Sequence, residues 1–162
     1  MFELILALIA AGVVALDQWT KHLVLLNIPL DGEVPLLPKV VHLTYLQNSG
    51  AAFSILQGQR LWFAVLTVAF LIALVYFVWK KLLPKPALVL LAFIAGGAIG
   101  NFIDRMAYGY VVDMIEVEFI RFAVFNVADI FITVGAILLA IYELFFDKSD
   151  KPDKAETAEA AK

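Results

Sequence analysis

The chain has 162 residues, 63% of them hydrophobic, with no cysteine and a formal net charge of −3. Its mean hydropathy of +0.91 leaves too little polar surface for a soluble domain of this size, so a bilayer is the natural solvent. The missing thiols exclude cysteine catalysis, disulfides and thiolate metal sites. His22 and His42 fit no metal-ligand motif, and no basic run suits nucleic acid, so neither a metal nor a cofactor is expected.

The first predicted span runs from about Phe2 to Thr20. It lacks the basic start of a secretory signal, and Asp17 and Lys21 follow its apolar core without a clear cleavage site, so it reads as a retained helix. From His22 to Gln59 the chain carries Pro29, Gly32, Pro35 and Pro38, then the β-friendly run Val40 to Leu46. This predicts turns and a short strand pair. Leu61 to Trp79 is nineteen uncharged residues, flanked by Trp62 and Trp79. At about 1.5 Å per residue it is about 28 Å long, the thickness of a hydrocarbon core.

Ala87 to Ile103 is the third span, with Ala92, Gly96 and Gly100 every four positions, a spacing for close helix packing. An outer segment from Arg105 to Arg121 follows, then a fourth span from Phe122 to Phe146. Residues 1–146 are expected to form one membrane-embedded domain. Residues 147–162 are expected to be a charged, disordered tail.

Four spans place both termini on one side. Lys80, Lys81 and Lys85, in the short loop between spans two and three, mark that side as cytoplasmic. The conspicuous polar groups then all lie on the outer half: Asp17 and Lys21, Asn101, Asp104 and Arg105, Asn126 and Asp129.

Asp113 and Asp129 carry the sharpest chemical signal. Thirteen uncharged residues, Ile130 to Tyr142, follow Asp129. A carboxylate facing hydrocarbon costs about 2.5 kcal/mol or more, so such residues face a protein interior or a wet cleft. Two carboxylates on one cleft would share a proton and activate water, as an aspartic-protease dyad does. On one straight helix these two would sit about 24 Å apart, so the segment between them must turn back. Asn126 and Asp129, three apart, are read as sharing a helix face, with Asp129 about 10 Å below the interface. Asp17 and Lys21 read as a helix-end ion pair, and Asp104 with Arg105 as an interfacial charge cluster.

Gly100-Asn101-Phe102-Ile103-Asp104-Arg105, Val111-Val112-Asp113 and Phe125-Asn126-Val127-Ala128-Asp129 resemble the signature of the lipoprotein signal peptidases, or signal peptidases II. Asp17-Gln18-Trp19-Thr20-Lys21 and Asn48-Ser49-Gly50-Ala51-Ala52-Phe53-Ser54 match as well, so the resemblance covers about residues 10 to 146. It implies an all-α polytopic membrane protein: four transmembrane helices, a small extracytoplasmic β-cradle and a short outer helix, the last two within residues 30–59. It implies an aspartic endopeptidase of the bacterial inner membrane that acts without a cofactor. Its substrates would be prolipoproteins, cut before a diacylglyceryl-modified cysteine, and its other partners membrane lipids; a monomer is expected. Asp113 and Asp129 match the catalytic pair. Asn101, Arg105 and Asn126 match the polar residues around it, and Asn48, Asp17, Lys21 and Asp104 supporting positions. Met114, where the family usually has an aromatic, and Val117 to Ala123 depart from the pattern and bear on local substrate contacts.

Two other classes of function fit the residues alone. Ser49 or Ser54 with Lys21 or Lys39 would make a serine–lysine protease. Buried aspartates also serve proton relays or the assembly of membrane complexes.

Overall fold

The computed structural model describes residues 1–50 and 60–145. The tail expected from residue 147, and the part of the expected outer helix within 51–59, lie outside the described residues. Four helices are long and apolar enough to cross a membrane: α1 (Phe2–Asn27), α2 (Arg60–Lys80), α3 (Lys85–Ala107) and α4 (Val127–Phe145). Between them lie three strands, β1 (Glu33–Leu37), β2 (Val41–Asn48) and β3 (Val111–Val117), in one antiparallel sheet of order β1-β2-β3.

Two helix ends differ from expectation. α1 continues seven residues past Thr20. Nothing from His22 to Asn27 opposes a helix, and Pro29 is the first residue that cannot continue it. The added turns are useful, because Val24, with Ile28 just beyond the helix, packs against Tyr45, Val112 and Met114 of the sheet. Conversely, α4 begins at Val127, five residues after Phe122. The apolar stretch before it is extended, and Phe125 bridges to Ile115 of β3 through hydrogen bonds in both directions. Hydropathy does not distinguish such a stretch from the first turn of a span.

The strand β3 was not anticipated. Its signal is the apolar and β-branched run Val111, Val112, Ile115, Val117. The chain enters it through Gly109, whose φ of 82° is left-handed and whose N–H donates to Arg105 O, ending α3. β3 then pairs with β2, Leu46 opposite Asp113 and Asn48 opposite Val111. Together β3 and the Phe125 bridge are the turn-back that brings Asp113 towards the start of α4.

α3 is the central helix and the most buried. Its small residues let two neighbours approach. A Cβ on Gly96 would strike Val13 and the Ala10 carbonyl of α1, and one on Gly97 would strike the Ala128 carbonyl of α4. A Cβ on Gly100 would collide with the Asp17 carboxylate. The packing role expected for these glycines is therefore observed. Leu61, Trp62, Ile72, Val75 and Trp79 of α2 are exposed, as suits side chains whose solvent is lipid.

Gly100→Ala should therefore lower stability by about 1–3 kcal/mol, the usual cost of overpacking. Thermal unfolding in detergent measures this. Gly12→Ala is the control: nothing lies within 4 Å of its Cβ position, so it should not lower the midpoint and should raise it slightly through helix propensity.

Candidate active site

The lower layer of the site is a buried ion cluster. Asp17, Lys21 and Asp104 are 0%, 2% and 1% exposed. Asp17 and Lys21 are four residues apart on α1 and so share its face. Lys21 Nζ lies 2.9 Å from Asp17 Oδ2 and 2.9 Å from Asp104 Oδ2, and it donates to Asn101 Oδ1 at 3.0 Å. The carboxylates also bind backbone and an amide. Ala128 N–H donates to Asp17 Oδ1, Val112 N–H to Asp104 Oδ2, and Gln18 Nε2 to Asp104 Oδ1 and the Gly100 carbonyl. One cluster thus fixes α1, α3, β3 and the first turn of α4.

This corrects two expectations. Asp17 and Lys21 do form an ion pair, but inside a longer helix and shared with Asp104 rather than at a helix end. Asp104 and Arg105 do not form one interfacial cluster: Asp104 turns into the ion cluster, whereas Arg105 turns to the cavity above it. Gln18 is a further contributor, with no role expected from the sequence. Its place beside Asp17 was the available signal.

The upper layer holds the other candidates. Asp113, on β3, is 1% exposed. Its Oδ2 accepts from Asn48 Nδ2 at 2.8 Å and its Oδ1 from Asn126 Nδ2 at 2.6 Å. Asn48 is within reach because it pairs with Val111, two residues before Asp113. Asp129 Oδ1 accepts from Asn101 Nδ2 at 2.8 Å.

Asn126 and Asp129 do not sit together on a helix face as expected. Asn126 precedes α4 and Asp129 is its third residue, so the two cap it reciprocally. Asn126 Oδ1 accepts from Asp129 N–H at 3.0 Å, and Asp129 Oδ2 from Asn126 N–H at 3.2 Å. The expected depth of Asp129, seven residues into a span, is withdrawn with it. Finally, Asn126 Nδ2 donates to Asn101 Oδ1 at 3.1 Å. The sequence Asp113–Asn126–Asn101–Asp129 is a continuous chain of side-chain hydrogen bonds.

Both carboxylates face a cavity of about 430 Å³, with Asn48, Asn101 and Arg105 around them and an otherwise apolar wall from Phe122–Phe125 and α4. Burial pushes the Asp113 carboxyl up to about 6, and the Asp129 charge adds to this against the opposing Asn48 and Asn126 hydrogen bonds. Arg105 donates to the Gly50 carbonyl at 3.1 Å and lies over the Phe63 ring of α2, 4.6 Å from its centre.

Met114 is 3% exposed and packs with Val24, Ile28 and Tyr45, so this departure from the family pattern concerns the sheet's core. Lys21, committed to two carboxylates and an amide, is no base for Ser49, which is exposed. Ser54 lies outside the described residues. Among the described residues no three His, Cys, Asp or Glu side chains are placed to hold a metal ion, and no buried side-chain polar atom lacks a partner.

Lys21→Met leaves two buried carboxylates without their cation and should destabilise the fold by about 3–5 kcal/mol. Thermal unfolding in detergent checks this, and adding Asp17→Asn and Asp104→Asn to Lys21→Met should recover much of the loss.

Comparison with known proteins identifies the family of this chain. Residues 9–145 match a family model described as signal peptidase (SPase) II. The lipoprotein signal peptidase of Streptococcus thermophilus (strain CNRZ 1066) is 50% identical over 131 residues, covering 80% of this chain and 86% of that protein. That of Enterococcus faecalis (strain ATCC 700802 / V583) is 42% identical over 153 residues, covering 93% and 94%. A solved structure, described as a bacterial membrane enzyme determined by the in meso method at 2.3 Å resolution, superposes with a TM-score of 0.82 at 37% identity, covering 92% of each chain. With its four apolar helices, its three-stranded sheet and these relatives along nearly its whole length, the chain belongs to the signal peptidase II family of multi-pass bacterial membrane peptidases.

Proposed function

We propose that this peptidase removes signal peptides from prolipoproteins, cutting N-terminal to a diacylglyceryl-modified cysteine, and that Asp113 and Asp129 are its catalytic pair. One observation carries the catalytic assignment: two carboxylates from separate elements line one largely apolar cavity and are joined through Asn126 and Asn101.

Two carboxylates on one cavity can divide the work, one protonated as acid and the other ionised as base. Burial pushes the Asp113 carboxyl up, which suits it to the protonated role. Asp129, ionised, takes a proton from a water whose oxygen attacks the scissile carbonyl carbon. Asp113 donates its proton to the carbonyl oxygen, giving a neutral diol. The diol collapses: the C–N bond breaks, the proton held by Asp129 passes to the leaving amine, and a diol hydroxyl proton returns to Asp113. Every step uses protons already present, and none needs a metal.

Asn101, Asn126 and Asn48 each donate to a carboxylate, so they hold the pair's orientation and leave the remaining lone pairs to the water and substrate. Arg105 adds positive charge beside the two acids and anchors the chain at Gly50, next to the cavity. The apolar wall of Phe122–Phe125 and α4 suits acyl chains that stay in the bilayer while the backbone enters the site.

The protein works in the bacterial cytoplasmic membrane, as a monomer in contact with lipid. Lys80, Lys81 and Lys85 support a cytoplasmic α2–α3 loop, with both termini on that side and the site near the outer face. Residues 1–146 act as one catalytic unit, and a chain truncated after residue 147 should keep its activity.

Asp113→Asn and Asp129→Asn should each reduce kcat/KM on a diacylglyceryl-prolipoprotein by ~10³-fold or more while remaining folded, since one carboxyl cannot perform both proton transfers. A gel-shift cleavage assay at matched folded amounts reads this, and survival of activity in either variant refutes the pairing. The same precursor with an unmodified cysteine should be cut far more slowly than the lipidated one.

The pH profile has a definite sign. Because the Asp113 carboxyl is raised to about 6, its proton is present below that value and lost as pH rises through it. kcat/KM should therefore fall on the alkaline side of about 6. The stability contributed by the neutral Asp113 declines in the same direction, from the ordinary carboxylate range up to about 6.

A further inference from the structure

A second groove, of about 760 Å³, opens beside the cavity that holds Asp113 and Asp129. Asn48, Phe122, Ala123 and Val124 line both, so the two form one continuous surface. Asn48 stands at the junction, donating to Asp113 on one side and facing the groove on the other. The two halves differ in chemistry. The cavity runs onto apolar α4, whereas the groove runs over the sheet, with charged groups from all three strands and the segment after β3.

We propose that this groove receives the polypeptide on the carboxyl side of the scissile bond and favours basic residues there. The inference rests on the peptidase reading above. A substrate has chain on both sides of the cut. The acylated cysteine and the signal peptide call for apolar surroundings, and the chain beyond the cysteine is a polar segment leaving the membrane. The polar groove that shares a wall with the cavity is the surface whose chemistry fits that segment. A few extended residues, at about 3.3 Å each, would run from the cut onto the sheet.

The selectivity follows from charge. Glu33, Glu116 and Glu118 line the groove against a single guanidinium, Arg121, and an imidazole, His42. His42 Nε2 lies 3.7 Å from Glu118 Oε2 and is paired across the strands with Glu116. Glu33 is exposed and Glu116 half-buried, so both carboxylates are open to a passing cation. A lysine in the substrate gains from this field and an aspartate is repelled by it. Exposed pairs are weak and screened by salt, so the preference should be about 3- to 10-fold and largest at low ionic strength.

The test uses three diacylglyceryl-prolipoproteins that differ only in the residues just after the cysteine, carrying lysine, serine or aspartate. At low salt the wild type should cut the lysine substrate about 3- to 10-fold faster, by kcat/KM, than the aspartate substrate. Glu33→Gln with Glu116→Gln should bring that ratio near one, and Glu116→Lys should invert it. Equal wild-type rates on lysine and aspartate substrates overturn the proposal, as does a ratio that survives in both variants. Failure to cut even the serine substrate overturns the peptidase reading, and the groove's role falls with it.

Discussion

A single ammonium shared between two buried carboxylates determines how this protein is put together. Lys21 cannot lie in an apolar interior unpaired, and neither can Asp17 or Asp104. Each can be buried only if α1 crosses α3 at the height where all three meet. The crossing also needs Gly100, because any side chain there would occupy the space of the Asp17 carboxylate. Once the cluster forms, its carboxylates also bind the backbone of β3 at Val112 and of α4 at Ala128. The elements that bear Asp113 and Asp129 are thus tied to the same three side chains.

The two layers share one atom. Asn101 Oδ1 accepts from Lys21 below and from Asn126 above, which leaves the Asn101 amide nitrogen facing Asp129. The cation's position therefore sets which way the Asn101 amide points, and that in turn sets the donor presented to Asp129. Asn126 is constrained as tightly. Its amide nitrogen reaches Asp113 and Asn101 while its oxygen caps α4. Ion pairing, helix capping and carboxylate orientation are coupled, which explains why residues outside the cavity belong with those inside it.

Much of this was legible in the sequence. The four spans stand out because a helix that crosses lipid must be long and apolar, and the polar residues that stood out between them are the ones gathered around the cavity and the ion cluster. Where reading failed, the same residue types carried two meanings. Asp17 and Lys21 looked like the exit of a helix, because a charge pair usually marks an interface, yet each finds its partner inside and the helix continues to Asn27. Phe122–Phe125 looked like the start of a span, yet it is an extended segment held to β3. β3 itself is too short and too mixed in pattern to announce a strand beside membrane helices. The meeting of Asp113 and Asp129 depends on that strand. It could be required by chemistry from the sequence, but its route could not be traced. Asp104 and Arg105, adjacent in the chain, part company because consecutive helical residues point about 100° apart.

The engagement of Asn101 and Asn126 bears on how a bacterium could escape an inhibitor lodged in the cavity. Each hydrogen-bonding group of these two amides is already engaged with a carboxylate, a lysine or a helix end. A substitution that spoiled an inhibitor's grip on either would also misalign the acids, so the polar floor offers little room for resistance. Phe122–Phe125 meet the cavity through apolar side chains, the Phe122 and Phe125 rings packed edge to face, while the acids are held by Asn48, Asn101 and Asn126. Escape variants should accumulate there, and a compound that draws its affinity from the floor rather than the wall would be the harder one to evade.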